Sequence, residues 1–570
     1  MLDLALHAME DVFYESQQQA SGNATSSVSA IDPFGLSSGF GPSFQRHRGL
    51  LRDPSKLPLF AEATHTVATQ EGVYADITID PRLATFDGLR TTMAQLDALN
   101  VTHLTQYRHV IGGLVPFHNI AGVAEMESVR VLRASQARVV PVADASVDKE
   151  AASAREMYGV NGSTVRCVGV LSDSFNNTRN FQDDIDVVAE TDTADGNDEG
   201  ARIMRQVHEA LPGLRSFAFN TALHGQAAFA AGIESLTEQT GCNVLVDHVT
   251  VLQEPFFADS VIAEAIDTVA AKNTSYFSAA GGFDAAGLFE TYEDSGVSET
   301  VSLFGRSLPY TWHKFSSTSD FDLPIRIAAN TTATLVLNWA DPYVSAAGES
   351  SGGALTDLDL FLFTPDGADV LASGISSNKG ADPIEIAYFT NDGPGEDFIV
   401  RVGKYITHNA STSEADFESP DPDHIGLVGF SVIDVHGHMK GPTQYGHSTA
   451  AGASAVEAPQ TEGPLNFPLL YDATGQRLPE VTYRPTAGFA SADAAQVVAL
   501  AAMIRESDEA LTPTEVNTVI QQTNASVTAA LAALKDGSWR AAAAPGESAG
   551  AGDEGTSGDQ QHDEEMLGTA

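Results

Sequence analysis

Val165-Arg-Cys-Val-Gly-Val-Leu171, running into Ser172-Asp173-Ser174, is the stretch that decides the fold. A nearly continuous apolar run of this length reads as a strand covered on both faces, the mark of a parallel sheet between helices. Downstream, Glu199 to Ala210 has amphipathic spacing, with Ile203, Met204 and Val207 on one side. Arg215 to Phe219 reads as a second strand, Asn243-Val-Leu-Val-Asp247 as a third and Tyr276-Phe-Ser-Ala-Ala280 as a fourth. Helices over Ala227 to Gln239 and Phe257 to Ala271 separate them. Strands alternating with helices predict a parallel α/β sheet over 164–282, with reactive side chains at the C-terminal strand ends.

The flanks differ. Residues 1–70 are rich in Ser, Gln, Gly and Pro and are expected to be disordered. Residues 71–136 read as a small α+β unit. It has a strand at Val73 to Ile79, a helix at Phe86 to Leu99 and a strand at His103 to Leu114 interrupted by Gly112-Gly113. A short helix from Ile120 and a strand from Ser128 complete it. That order is ferredoxin-like. Residues 137–163 are expected to be a linker. From 283 to 435 helical periodicity gives way to short alternating strands, among them Thr334 to Trp339 and Asp357 to Phe363, separated by turns such as Thr364-Pro-Asp-Gly367. This predicts an inserted all-β sandwich. The α/β character returns over 436–540, with an apolar helix from Ala490 and a helix start at Thr512-Pro-Thr-Glu515. Residues 541–570 form an acidic tail without Lys or Arg, expected to be disordered.

Composition bounds the function. The 570 residues carry 76 acidic and 30 basic side chains, a formal charge of −46. Such a chain repels phosphates, which excludes a general nucleic-acid or anionic-membrane binder. Two cysteines exclude a disulfide scaffold and a Cys-based zinc site. No run of 18 apolar residues occurs, so no membrane insertion is expected. The N-terminus lacks the basic region of a signal peptide. Eight sequons, at Asn23, Asn100, Asn161, Asn176, Asn273, Asn330, Asn409 and Asn524, nevertheless point to a secreted glycoprotein.

Three polar residues stand at chemically telling places. Asp173 ends the first buried strand, Glu199 starts a helix, and Ser491 stands at the start of the apolar helix after the insertion. A helix N-terminus offers unpaired N–H groups to a developing oxyanion. A Ser or Asp there also serves as a plain cap.

Val168-Gly-Val-Leu-Ser-Asp-Ser-Phe175, with Asp198-Glu-Gly200 and Val207-His-Glu-Ala-Leu-Pro-Gly213, resembles a divergent branch of the subtilisin-like serine peptidases. In that branch Glu stands where ordinary subtilases carry the His of "HGT". The likeness extends to Asn243–His248, Tyr276–Gly281, the insertion and Tyr445–Val456, and covers about 75–540. Gly488-Phe-Ala-Ser-Ala-Asp-Ala-Ala-Gln-Val497 lies where "GTSAAAPHVA" is expected. The resemblance implies a subtilisin-like sheet, a propeptide-like unit at 71–136 and a polypeptide substrate. It implies a serine endopeptidase with Ser491 as nucleophile, Glu199 as base and Asp173 as the group that orients the base. The oxyanion Asn of the family is replaced by Gly282. A catalytically inactive binding protein that uses its sandwich for contacts is the alternative. His208, on the Glu199 helix, reads as structural. Cys167 and Cys242 lie on strands that would be neighbours, as a disulfide or as two buried thiols. Asp357 and Asp359 share a strand face and are a candidate for structural Ca²⁺; no other cofactor is expected. His436, His438 and His447 read as a surface loop.

Overall fold

The computed structural model describes residues 64–139, 149–175, 186–189, 198–279, 285–303, 306–346, 352–406, 420–456, 467–471, 477–482 and 494–543. It is a mixed α/β protein with several sheets.

The N-terminal unit runs β1 (Gly72–Ile79), α1 (Phe86–Ala98), β2 (Thr102–Tyr107), β3 (Val110–Pro116), α2 (Ile120–Ala124) and β4 (Val129–Ala134). Its antiparallel sheet has the order β2-β3-β1-β4. Thr85 caps α1 through its side chain, and Leu89 and Leu96 fill the space under the sheet. The stretch read as one strand over His103 to Leu114 is a hairpin that turns at Arg108, whose φ is +52°. Gly112 and Gly113 do not break it. They lie inside β3, where a Cβ would press on Val101 on one side and on the chain at His224 on the other.

Two elements lie in the stretch read as a linker. β5 (Ala137–Val139) pairs with a later strand, and α3 (Lys149–Tyr158) packs on the α/β core. The core itself follows as β6 (Val168–Ser172), β7 (Asp186–Ala189), α4 (Glu199–Ala210), β8 (Ser216–Thr221), α5 (Gln226–Glu238), β9 (Val244–Asp247), β10 (Val249–Val251), α6 (Val261–Ala271) and β11 (Ser275–Ser278). Six strands form one wholly parallel sheet in the order β22-β11-β9-β6-β8-β7, where β22 (Ala453–Ala455) comes much later in the chain. Phe217, Phe219, Val244 and Val246 face one apolar layer with α4, while Leu171, Ala218 and Leu245 face another with α5 and α6. Coverage on both faces is why these strands read as continuous apolar runs.

Between β11 and β22 the described residues form β12 (Ala286–Thr291), β13 (Asp294–Leu303), β14 (Arg306–His313), β15 (Leu323–Ile327), β16 (Thr331–Trp339), β17 (Leu358–Phe363), β18 (Val370–Gly374), β19 (Ile384–Asn391), β20 (Glu396–Tyr405) and β21 (His424–Phe430), with one short 3-10 helix at Gly446–Thr449. One antiparallel sheet has the order β12-β21-β16-β19, and the other β13-β14-β20-β17-β18 with β15 also on β20. Leu335, Leu337 and Leu427 of the first meet Ile325, Leu360 and Val400 of the second in one core. β22 (Ala453–Ala455) then rejoins the parallel sheet, followed by the hairpin of β23 (Leu469–Tyr471) and β24 (Arg477–Thr482).

Four helices close the described chain: α7 (Ala494–Ser507), α8 (Pro513–Gln522), α9 (Val527–Asp536) and α10 (Ser538–Ala543). The capping box expected at Thr512 is present in full, with the Thr512 side chain accepting from the Glu515 N–H and Glu515 accepting from the Thr512 N–H. Cys167 and Cys242, at the starts of neighbouring strands β6 and β9, form a disulfide rather than two buried thiols. It closes a separation of 75 residues.

Among the described residues no helix is long and apolar enough to cross a membrane.

Candidate active site

The strand order reverses around β6. The chain goes from β6 to β7 and β8 on one side, then crosses to β9 and β11 on the other. In open α/β sheets this reversal leaves a crevice at the C-terminal strand ends. Asp173 is the first residue past β6 and stands at that reversal, buried at 3% exposure. Its Oδ1 accepts from the N–H of Ser174 at 2.6 Å and of Glu199 at 3.1 Å. Glu199 is the first residue of α4 and is also buried. Its Oε1 accepts from Arg202 Nη1 at 2.9 Å, one turn along the helix.

Two local features hold the start of α4 against the end of β6. Asp198, at the N-cap, has a left-handed backbone with φ +62°, and its N–H donates to Ser174 Oγ at 2.9 Å. Gly200 lets the helix lie flush against the end of β6. A Cβ there would stand 2.7 Å from Ser174 O and 2.6 Å from the Phe219 ring. The structure thus sets the Glu199 backbone N–H against the Asp173 carboxylate. Ser491 and Gly282 lie outside the described residues. The helix that begins three residues after Ser491, α7, shares one core with α4, the helix that carries Glu199. His208 lies in the last turn of that same helix, away from its N-terminal end.

A second polar cluster occupies the same edge of the sheet, and sequence reasoning missed it. Asp247 ends β9, beside Leu171 of β6, and Ser278 ends β11. Ser278 Oγ donates to Asp247 Oδ1 at 3.0 Å. His447 is not on a surface loop. It is 2% exposed, with Nδ1 2.5 Å from Glu254 Oε2 and Nε2 3.4 Å from Asp247 Oδ1. Its backbone N–H also donates to Glu254 Oε1 at 2.9 Å. Burial works to lower the His447 pKa, but Glu254 and Asp247 outweigh it and hold the imidazole up to about 10. It is therefore an imidazolium clamped between two carboxylates. The sequence held one signal for this, acids at the end of β9 and in the loop after β10, but nothing that paired them with a histidine 200 residues away. His436 and His438 behave as expected: their rings stack at a centroid distance of 5.8 Å, and His436 is exposed.

The N-terminal unit docks beside this edge. Asp76 of β1 is buried and accepts from the Gln226 N–H, the first residue of α5, at 2.8 Å. Burial pushes its pKa up to about 6, against the backbone N–H groups of Gln226 and Ala227 that lower it. The segment that leaves the unit becomes β5 and pairs antiparallel with β10, with Val139 opposite Val249 and Ala137 opposite Val251. The Leu252 N–H donates to Gln136 O at 3.0 Å, extending the ladder. β10 follows β9 outward from the sheet after His248. An antiparallel partner therefore runs back toward the strand ends, where Asp173 stands.

The Ca²⁺ candidate, Asp357 and Asp359, lies buried near the outer all-β sheet. Asp357 Oδ1 accepts from the Asn378 N–H at 2.8 Å and Asp359 Oδ2 from the Tyr310 hydroxyl at 2.6 Å. Burial raises both carboxyls, and the neighbouring Asp357 raises Asp359 further. Among the described residues no group of three or more His, Cys, Asp or Glu is arranged to hold a metal ion.

No family model matches the chain. No curated protein matches it either. Among solved structures, the chain is similar to a Paenibacillus sp. cycloisomaltooligosaccharide glucanotransferase in complex with cycloisomaltoheptaose, at 11% identity and a TM-score of 0.14. The match covers 54% of this chain and 39% of that one. A likeness of that size carries no argument for fold or activity.

Proposed function

We propose that the chain is a subtilisin-like serine endopeptidase whose propeptide-like N-terminal unit and inserted β-sandwich flank the parallel core. The observation that carries this reading is β5. A segment of polypeptide lies extended on the edge strand β10 and runs back toward the end of β9, the neighbour of β6, past whose end Asp173 accepts from the Glu199 N–H. Main-chain pairing on a free strand edge is how proteins hold extended polypeptides without regard to most side chains. The carboxylates, the strand-order reversal and the shared core of α4 and α7 support the same reading.

In this mechanism Ser491 Oγ attacks the peptide carbonyl while Glu199 takes its proton. Asp173 orients Glu199 through the α4 N-terminus, whose first N–H it already accepts. Glu199 then gives the proton to the leaving amine, and water hydrolyses the acyl-enzyme by the reverse sequence. By the same resemblance Gly282 takes the place of the family's oxyanion Asn, which would leave that role to a backbone N–H. A carboxylate base predicts an activity maximum below neutral pH, and a maximum above neutral argues against Glu199 in that role.

The test is fluorophosphonate labelling at acidic and neutral pH of the full chain and of Ser491→Ala. Labelling of the former alone is expected. A folded chain with no labelling at either pH would overturn the peptidase reading and leave a polypeptide-binding protein.

The disulfide, and the exposure of the sequon residues Asn100, Asn161, Asn273, Asn330 and Asn524, support an extracellular or secretory-pathway setting.

A further inference from the structure

Arg138 is the middle residue of β5 and pairs with Thr250 of β10. Its side chain points away from those of its neighbours Ala137 and Val139, because side chains alternate along a strand. It is 9% exposed, unusual for an arginine. The guanidinium carbon sits 5.0 Å from the centre of the Phe430 ring, and Nη2 is 3.4 Å from Ser431 Oγ. Both residues lie at the end of β21, in the all-β region. Burial pushes the Arg138 pKa down to about 10, and Tyr445, from the chain that rejoins the core, and Tyr388 of β19 offset only part of that. The Tyr445 hydroxyl is buried without a hydrogen-bond partner among the described residues.

The walls of this pocket therefore come from elements far from β5 in the chain, and they converge on one side chain of the strand-paired segment. An aromatic face with hydroxyl oxygens around it suits a planar, weakly hydrated cation better than a compact ammonium. The whole chain adds a field that draws cationic segments toward it, at a formal charge of −46.

We propose that this pocket is a specificity subsite that takes an arginine side chain of an extended polypeptide paired on β10, with Phe430 as its stacking wall. Arg138 occupies it in cis. The proposal rests on the reading of β10 as the substrate-binding edge, but it concerns binding and not bond cleavage.

The experiment uses the full-length chain carrying Arg138→Ala, which empties the pocket in cis. A fluorescent peptide with the sequence of Ala134-Ser-Gln-Ala-Arg-Val-Val-Pro141 is titrated against it. Binding is expected to weaken about tenfold when norleucine replaces the peptide's arginine, and less when lysine does. Adding Phe430→Ala should erase that preference. Equal binding of the arginine and norleucine peptides, or no binding to a chain that still melts cooperatively, overturns the proposal.

Should Arg138→Ala fail to fold, hydrogen exchange of residues 134–139 in the unaltered chain gives the same answer. The arginine peptide should expose the segment at about a tenfold lower concentration than the norleucine peptide, and equal concentrations overturn the proposal. Arginine-selective binding without fluorophosphonate labelling would leave the subsite standing and remove the peptidase. Labelling without selectivity would do the reverse.

Discussion

Two pairs of acids stand at the same edge of one parallel sheet, and they are built for different work. Asp173 and Glu199 meet where β6 ends and α4 begins, held by backbone N–H groups, with one Glu199 oxygen on the half-exposed Arg202. Asp247 and Glu254 meet around a buried imidazolium, with all three side chains at 2% exposure or less. The first pair lies at the strand-order reversal, one strand over from β9, toward whose end β5 runs. The second is sealed and joins the chain that returns from the all-β region to the core. Carboxylates at strand ends are thus not equivalent: a buried counter-ion turns one pair into a fastener, whereas the other is held by backbone N–H groups and a half-exposed arginine.

The comparison can be broken most sharply at Glu199. Glu199→Gln keeps an acceptor for Arg202 but removes the proton-accepting carboxylate. Peptide hydrolysis should fall by about 10²–10⁴-fold, with little change in unfolding midpoint, as measured by turnover and denaturant titration side by side. An unchanged rate would move the chemistry elsewhere.

His447→Ala should do the opposite. It leaves Asp247 and Glu254 buried with no cation between them, a loss of about 3–5 kcal/mol in unfolding free energy. The His447 pKa is raised from 6.5 to about 10 in the folded chain, so the folded state binds the extra proton in between. Its contribution is therefore complete below pH 6.5 and is lost as pH rises through about 10. Unfolding titrations from pH 6 to 10 should show a downward slope in the parent chain that is shallower in His447→Ala. Equal slopes would mean that the clamp is neutral in the fold.

The disulfide tests whether the two clusters share a frame, since Cys167 and Cys242 open the strands that end near Asp173 and Asp247. For a loop of 75 residues, chain entropy assigns the bond about 4 kcal/mol. The double substitution to Ala should lower stability by that order in denaturant titrations, while turnover of the remaining folded molecules holds. A loss of turnover at full folding would show that the bond sets the register of the catalytic edge. The smallest effect is the control: Thr512→Ala, remote from both clusters, removes a helix cap and should cost about 1 kcal/mol with no effect on hydrolysis.

Much of the core was legible because its signals are local. The apolar runs at β6, β8, β9 and β11, the α4 boundaries at Glu199 and Ala210 and the Thr512 capping box each depend on residues within one element. β22 was not legible: Ala453-Ser-Ala455 is too short and too small to advertise a strand, and only its pairing with β11 makes it one. β5 escaped for a similar reason, since three residues of linker become a strand only against β10. Residue patterning determined that there is a parallel α/β core interrupted by an all-β region, and that Asp173 and Glu199 flank its first crossover. Tertiary structure alone decided that His447 is an imidazolium in the core, that Arg138 finds an aromatic wall in a distant sheet, and which strands are neighbours. Periodicity records what each segment hides from water, whereas a salt bridge across 200 residues or a ladder between two short strands exists only once the chain has closed on itself.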